Sequence, residues 1–273
     1  MALAIILCHP IVLPAAQPNP TITDALGRVV RLPDRTERIA CLYAFSGHVV
    51  AMLGKADQIV AVSNGLKRDI LFCKMFPGVT RATVPKRQGA INIEALIGAR
   101  PDVVFVQSQT GQDPATADRL DALGLTWIAI DFHTMAQQRN AILMIGKAIG
   151  ALRKAKSYNA YYTNCIERVS RMVAMIPLEN RPKVFHATVE PNRTSPRQSL
   201  PSDWLAQSGL NNVITMDPDR LAGGNKQVGM EQILLWNPGV ILANEPGVAN
   251  FIMRDSQWSA VRAVRCGRVY QMP

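Results

Sequence analysis

Along this chain, short unbroken apolar runs alternate with longer stretches in which apolar residues recur every three or four positions. Residues 38–42, 58–62, 103–106 and 126–130 hold apolar runs rich in Val and Ile, unbroken after Arg38, Gln58 and Thr126, the pattern of strands buried on both faces. Between them, residues 46–53, 93–97, 115–123 and 135–149 read as helices. Gly54, Gly124 and Gly150 stop three of these, because glycine adopts the left-handed conformation that ends a helix. Residues 21–32 read as a hairpin turning at Gly27. Strand and helix in regular alternation predict a parallel sheet covered by helices on both sides.

A longer helix is predicted at residues 151–176. Its apolar positions Tyr162, Ile166, Val169, Val173 and Ile176 lie along one helical face. No Pro or Gly interrupts it, so at 1.5 Å per residue it would span about 40 Å, enough to act as a strut. The α/β pattern then restarts: strands at 182–187, 240–243 and 269–270, helices at 204–208, 230–236 and 259–264. Two phrases correspond. Ile93-Glu94 through Pro101 and the strand after it parallel Met230-Glu231 through Pro238 and its strand. The chain therefore divides into two similar lobes, residues 21–150 and 180–273, joined by a helix at 151–177.

Composition narrows the class. The 273 residues are 48% hydrophobic, too apolar for a disordered chain. No run is long and apolar enough for an ordinary membrane-spanning helix. The formal charge is +10, spread over both halves. Without interleaved aromatics or zinc-finger spacing, this excess points to an anionic small ligand or a basic surface, not to nucleic acid.

The first 16 residues carry no charge, and an apolar stretch leads to Leu13-Pro14-Ala15-Ala16. This resembles the apolar and cleavage regions of an export signal, without its positively charged start, and implies an exported protein. Cys8 follows the bulky Leu7, which argues against a lipoprotein. Cys41, Cys73, Cys165 and Cys266 lack C-x-x-C spacing and read as small buried hydrophobes.

Hydrolase, zinc-protease, P-loop and dinucleotide motifs are absent, so the chain does not read as an enzyme. The class-distant alternative, an exported α/β enzyme, would need a nucleophile–base pair.

The phrases Ile22-Thr23-Asp24-Ala25-Leu26-Gly27-Arg28, Asn92-Ile93-Glu94 to Pro101-Asp102-Val103, Met230-Glu231-Gln232 to Pro238, and Gly267-Arg268-Val269-Tyr270 together resemble the periplasmic substrate-binding proteins of ABC importers that carry ferric siderophores, haem or cobalamin. The resemblance implies two Rossmann-like α/β lobes with parallel sheets, joined by a single long interdomain helix, with the ligand clamped between them. It implies a monomer with no cofactor of its own, delivering a metal chelate such as a ferric siderophore to a permease dimer in the inner membrane. Cobalamin, haem and an oxyanion such as molybdate are the alternative ligands. Glu94 and Glu231 match the family's positions that pair with permease arginines. The resemblance implies a further helix after the last strand, so the second lobe at 180–273 is expected to be without its last helix.

Ligands of open α/β sheets bind at the carboxyl ends of the strands. The loops there, with 81–88 added by the resemblance, nominate Tyr43, Lys67, Arg68, Arg87, Gln107, His133, His186, Arg193, Arg197 and Lys226 as ligand-binding residues. Arginine forks suit carboxylate, catecholate and oxyanion groups. Tyr43, His133 and His186 are the candidates to touch iron, although no second histidine or cysteine sits three or four residues from any of them.

Overall fold

The computed structural model describes residues 20–87, 90–216 and 226–272. The export signal expected at 1–16 lies outside them, as do the side chains of Arg87 and Lys226.

The first lobe opens with the hairpin β1 (Thr21–Thr23) and β2 (Val29–Arg31), antiparallel as expected. Gly27 turns it at φ +77°. The Asp24 carboxylate accepts from the backbone N–H groups of Leu26 and Arg28 and from that of Ala129, and it pairs with the Arg28 guanidinium at 2.6 Å. Asp24 thus ties the hairpin to the sheet.

That sheet is built from β3 (Ile39–Cys41), α1 (Ala44–Met52), β4 (Ile59–Val62), α2 (Asn64–Arg68), α3 (Ile70–Met75), β5 (Lys86–Arg87), β6 (Ala90–Ile91), α4 (Ile93–Gly98), β7 (Val103–Gln107), α5 (Ser108–Gly111), α6 (Pro114–Ala122), β8 (Trp127–Ile130) and α7 (Met135–Ala148). The strand order is β4-β3-β7-β8, all parallel, with β5 and β6 in a separate two-stranded ribbon. Alternate residues go to opposite faces. Ile39, Cys41, Phe105 and Ile130 pack with α1 and α7, while Leu42, Val104, Val106 and Ala129 pack with Leu96 of α4 and Leu120 of α6. Both faces are covered, which is why these strands read as unbroken apolar runs.

The strut is α8 (Leu152–Ala174), 23 residues long. The second lobe follows with β9 (Lys183–Ala187), β10 (Arg193–Thr194), α9 (Leu200–Gln207), β11 (Asn211–Asn212), β12 (Lys226–Gln227), α10 (Met230–Trp236), β13 (Val240–Ala243), α11 (Val248–Arg254), α12 (Arg262–Arg265) and β14 (Val269–Gln271). Strands β11, β9, β13 and β14 run parallel, but β10 and β12 are antiparallel to their neighbours. The second sheet is therefore mixed rather than purely parallel.

The matching phrases have a shared geometry. In the first lobe Arg100 (φ 45°) and in the second Asn237 (φ 44°) take the left-handed conformation between helix and strand, each directly before a proline that cannot continue a helix. The helix expected at 259–264 is broken instead. A turn of 3₁₀ helix covers Ser256–Trp258, Val261 is extended and buried, and α12 starts only at Arg262. Its first N–H donates to the Asn237 side-chain oxygen at 2.9 Å. Helices α2, α3, α5 and α11 are not among the expected ones. Cys41 is buried, its thiol pushed up to about 12 chiefly by that burial, whereas Cys266 is exposed, contrary to its reading as a buried hydrophobe.

The lobes also meet through α9. The Asp203 carboxylate accepts from the Met135 N–H, the first of α7, at 2.8 Å. Gly209 lies against Val173 of α8, where a β-carbon would come within 2.5 Å of the valine side chain.

Candidate functional site

The carboxyl ends of the two sheets carry the polar groups of the candidate cleft. In the first lobe, Tyr43 follows β3 and Phe132 follows β8. Phe45 stands beside both, its ring centroid 5.9 Å from Tyr43 and 4.5 Å from Phe132, and those two rings are 6.2 Å apart. Burial, then the nearby Asp131 charge, holds the Tyr43 phenol above its ordinary value, so it is a neutral hydroxyl. His133 is exposed, with its ring 3.6 Å from the Asp131 carboxylate. Gln107, the last residue of β7, is exposed.

Lys86 lies on β5, and its ammonium donates to the Thr110 hydroxyl at 2.5 Å. Burial lowers its pKa. Among the described residues no carboxylate pairs with it.

Lys67 does something else. Its ammonium donates to the carbonyl oxygens of Ala82 at 2.7 Å, Thr80 and Val79. With its donors engaged by the 77–82 segment, Lys67 ties that segment to α2. Arg68, at the end of α2, and Arg197, beyond β10, are both exposed.

In the second lobe His186 is fully buried. Its neighbours Phe185 and Ala187 join the core on one face of the sheet, so its ring points to the other. There the Trp204 ring meets it edge-on at 5.6 Å. Nδ1 is 3.2 Å from the Ser195 hydroxyl and Nε2 is 3.1 Å from Asn244 Oδ1. Burial lowers its pKa, leaving a neutral ring with both nitrogens engaged. The ring expected to touch iron thus meets Ser195 and Asn244 here. Arg193, on β10, has its Nε 3.6 Å from the Glu190 carboxylate, and that Nε is buried without a hydrogen-bond acceptor among the described residues.

The structure thus groups Tyr43 with Asp131 and His133, Lys86 with Thr110, and His186 with Ser195 and Asn244. Thr110, on α5, and Asn244 stand at strand ends that the sequence marked, but nothing in residue type set them apart. Ser195 carried no signal at all.

Glu94 and Glu231 occupy the same place in their helices, one residue past the first helical position, and both are exposed. Beside Glu94 lies a hollow of about 610 Å³ lined by Ile91, Ile93, Arg119 and Leu123. It is distinct from the cleft.

Residues 39–273 match the periplasmic binding protein family. The molybdate-binding protein MolA of Haemophilus influenzae is 24% identical over 92% of this chain and 77% of its own length. An ABC transporter substrate-binding lipoprotein of Bacillus subtilis, YvrC, is 22% identical over the same shares. The structure of MolA bound to molybdate superposes with a TM-score of 0.83 at 22% identity, covering 93% of this chain and 83% of that one. Helicobacter pylori CeuE with Ni(II) bound gives 0.77 at 20% identity, covering 93% and 82%. Homologues are substrate-binding transport proteins and not enzymes. With its two α/β lobes on one long helix, the chain belongs to the periplasmic binding protein family, the substrate-binding components of ABC importers.

Proposed function

We propose that this protein captures a small oxyanion of the molybdate class in the cleft between its lobes and delivers it to an ABC permease. The observation that carries this reading is Lys86. A half-buried ammonium with a hydroxyl but, among the described residues, no carboxylate beside it is a charge without a counter-ion there, costly until an anion reaches it. Thr110 from the first lobe and Arg193 and Asn244 from the second supply further donors of the kind an oxyanion accepts. The likeness to molybdate-bound MolA supports the same class. Export by a leader at 1–16 and action as a monomer belong to this reading.

A ferric siderophore is the second reading. The rings of Tyr43, Phe45 and Phe132 offer an apolar wall suited to a larger chelate.

Calorimetric titration decides between them. Molybdate is expected to bind 1:1 at micromolar affinity or better, about −8 kcal/mol. Lys86→Ala should weaken it by about tenfold or more, as expected when a charged hydrogen-bond donor is removed. Binding of a ferric catecholate with no response to molybdate or tungstate would replace the first reading by the second. Catalytic consumption of a substrate would sink both.

A further inference from the structure

His186 is sealed from solvent yet bridges two polar side chains, and this constrains the direction of its hydrogen bonds. A neutral imidazole has one N–H and one lone pair. Asn244 turns its carbonyl oxygen, an acceptor, toward Nε2, so Nε2 carries the hydrogen. Nδ1 is then the acceptor, and the Ser195 hydroxyl donates to it. The bond from Nε2 pins the Asn244 amide with Oδ1 inward and Nδ2 on the opposite side.

Asn244 is the first residue beyond β13, at the end of the sheet that faces the cleft, and it is exposed. Its backbone is held from both sides. Its N–H donates to Ala187 O at 3.0 Å, and its carbonyl accepts from Gln271 Nε2 at 3.0 Å. Among the described residues Nδ2 has no acceptor. By register Thr194 lies opposite Ala187, which puts Arg193 and Ser195 on the His186 face. The buried Arg193 Nε there, 3.6 Å from the Glu190 carboxylate, also lacks a hydrogen-bond acceptor among the described residues.

We propose that His186 is a positioning residue that fixes the Asn244 amide with its NH2 group toward the cleft, and that this donor, together with Arg193, selects a fully deprotonated oxyanion over one that carries a hydroxyl. The inference rests on the oxyanion reading of the cleft. A ligand O–H aimed at a donor finds no acceptor, and a site built on such matching rejects the wrong partner strongly.

Two measurements test it. The first needs no ligand. In protein carrying ¹⁵N-histidine, the resonance lost in His186→Gln should report a neutral ring with hydrogen on Nε2. Hydrogen on Nδ1, or an imidazolium at neutral pH, would overturn the positioning role. The second compares molybdate with hydrogen phosphate, two tetrahedral dianions of which only the latter bears a hydroxyl. Wild type should prefer molybdate by about tenfold or more. His186→Leu should bring the ratio toward one by weakening molybdate while sparing hydrogen phosphate. Asn244→Ala, at an exposed position, should do the same if His186→Leu fails to fold. An unchanged ratio in a folded variant would refute the selection. If wild type binds neither anion while the ring carries its hydrogen on Nε2, the cleft reading and the selection fall together and the positioning of Asn244 stands.

Discussion

Two lysines separated by 19 positions show how local geometry divides one residue type into two roles. Lys67 lies on α2, just past the carboxyl end of β4, and Lys86 lies on β5. Lys67 has three carbonyl oxygens within reach of its ammonium, while Lys86 has one hydroxyl. Lys67→Ala is therefore expected to cost about 1.5–3 kcal/mol of stability, the range for hydrogen bonds to a charged group, with molybdate affinity unchanged. Chemical denaturation together with the titration measures both. A loss of affinity with full stability would show that the tie assigned to Lys67 is wrong. Nothing in the sequence separates these two lysines, because the distinction depends on the path of the 77–82 segment around Lys67. The same limit applies to His186. Its position at a strand end was legible, but its facing side depends on the register of β9 against β10. Glu94 and Glu231 were legible because a repeated phrase carried them.

At the scale of elements, the unbroken apolar runs and the glycine stops located the strands of the first sheet and most helices to within about two residues. What escaped was short and irregular. Helices α2 and α3 have few buried residues, Leu66 and Phe72, so hydrophobic period gives little sign of them. The antiparallel β10 and β12 are two residues each, too short for alternation to register. The broken helix at 259–264 follows from Asn237, which reaches across to cap α12. Asn237 serves two elements at once: it ends α10 in the left-handed conformation and accepts from the Arg262 N–H. Asn237→Ala should cost about 1–2 kcal/mol, from the lost cap and the backbone strain. Asn237→Gly relieves the strain but not the cap and should fall between Ala and wild type. Equal midpoints for all three in urea would mean that neither contribution matters.

For the whole molecule, α8 has no Pro or Gly at which to bend. The bond from the Met135 N–H to Asp203 closes the gap between the lobes on the α9 side. Scattering profiles with and without molybdate should nearly coincide, and a fall of several ångströms in radius of gyration would contradict a stiff frame. Glu94 and Glu231 stand exposed on matching helices, one per lobe. Replacing both with Ala should lower uptake through the permease more than either change alone, since a charge pair at an interface is worth from a fraction to several kcal/mol. Molybdate affinity should stay unchanged, with Asp118→Ala as an exposed control. Normal uptake in the double variant would mean that the permease reads some other surface.

The strap from Asp203 to α7 also bears on traffic at the membrane. A carrier whose lobes hold one spacing presents almost the same face to its importer whether laden or vacant. Vacant carriers then queue for the same berth, and the importer discriminates weakly before engagement. Transport in reconstituted vesicles should therefore rise with carrier concentration only while cargo is in excess, and fall once unladen protein outnumbers it. Asp203→Ala, which frees the lobes to part when empty, should soften that decline. A rate that stays level under a large surplus of vacant wild-type carrier would show that the importer distinguishes the two before they dock.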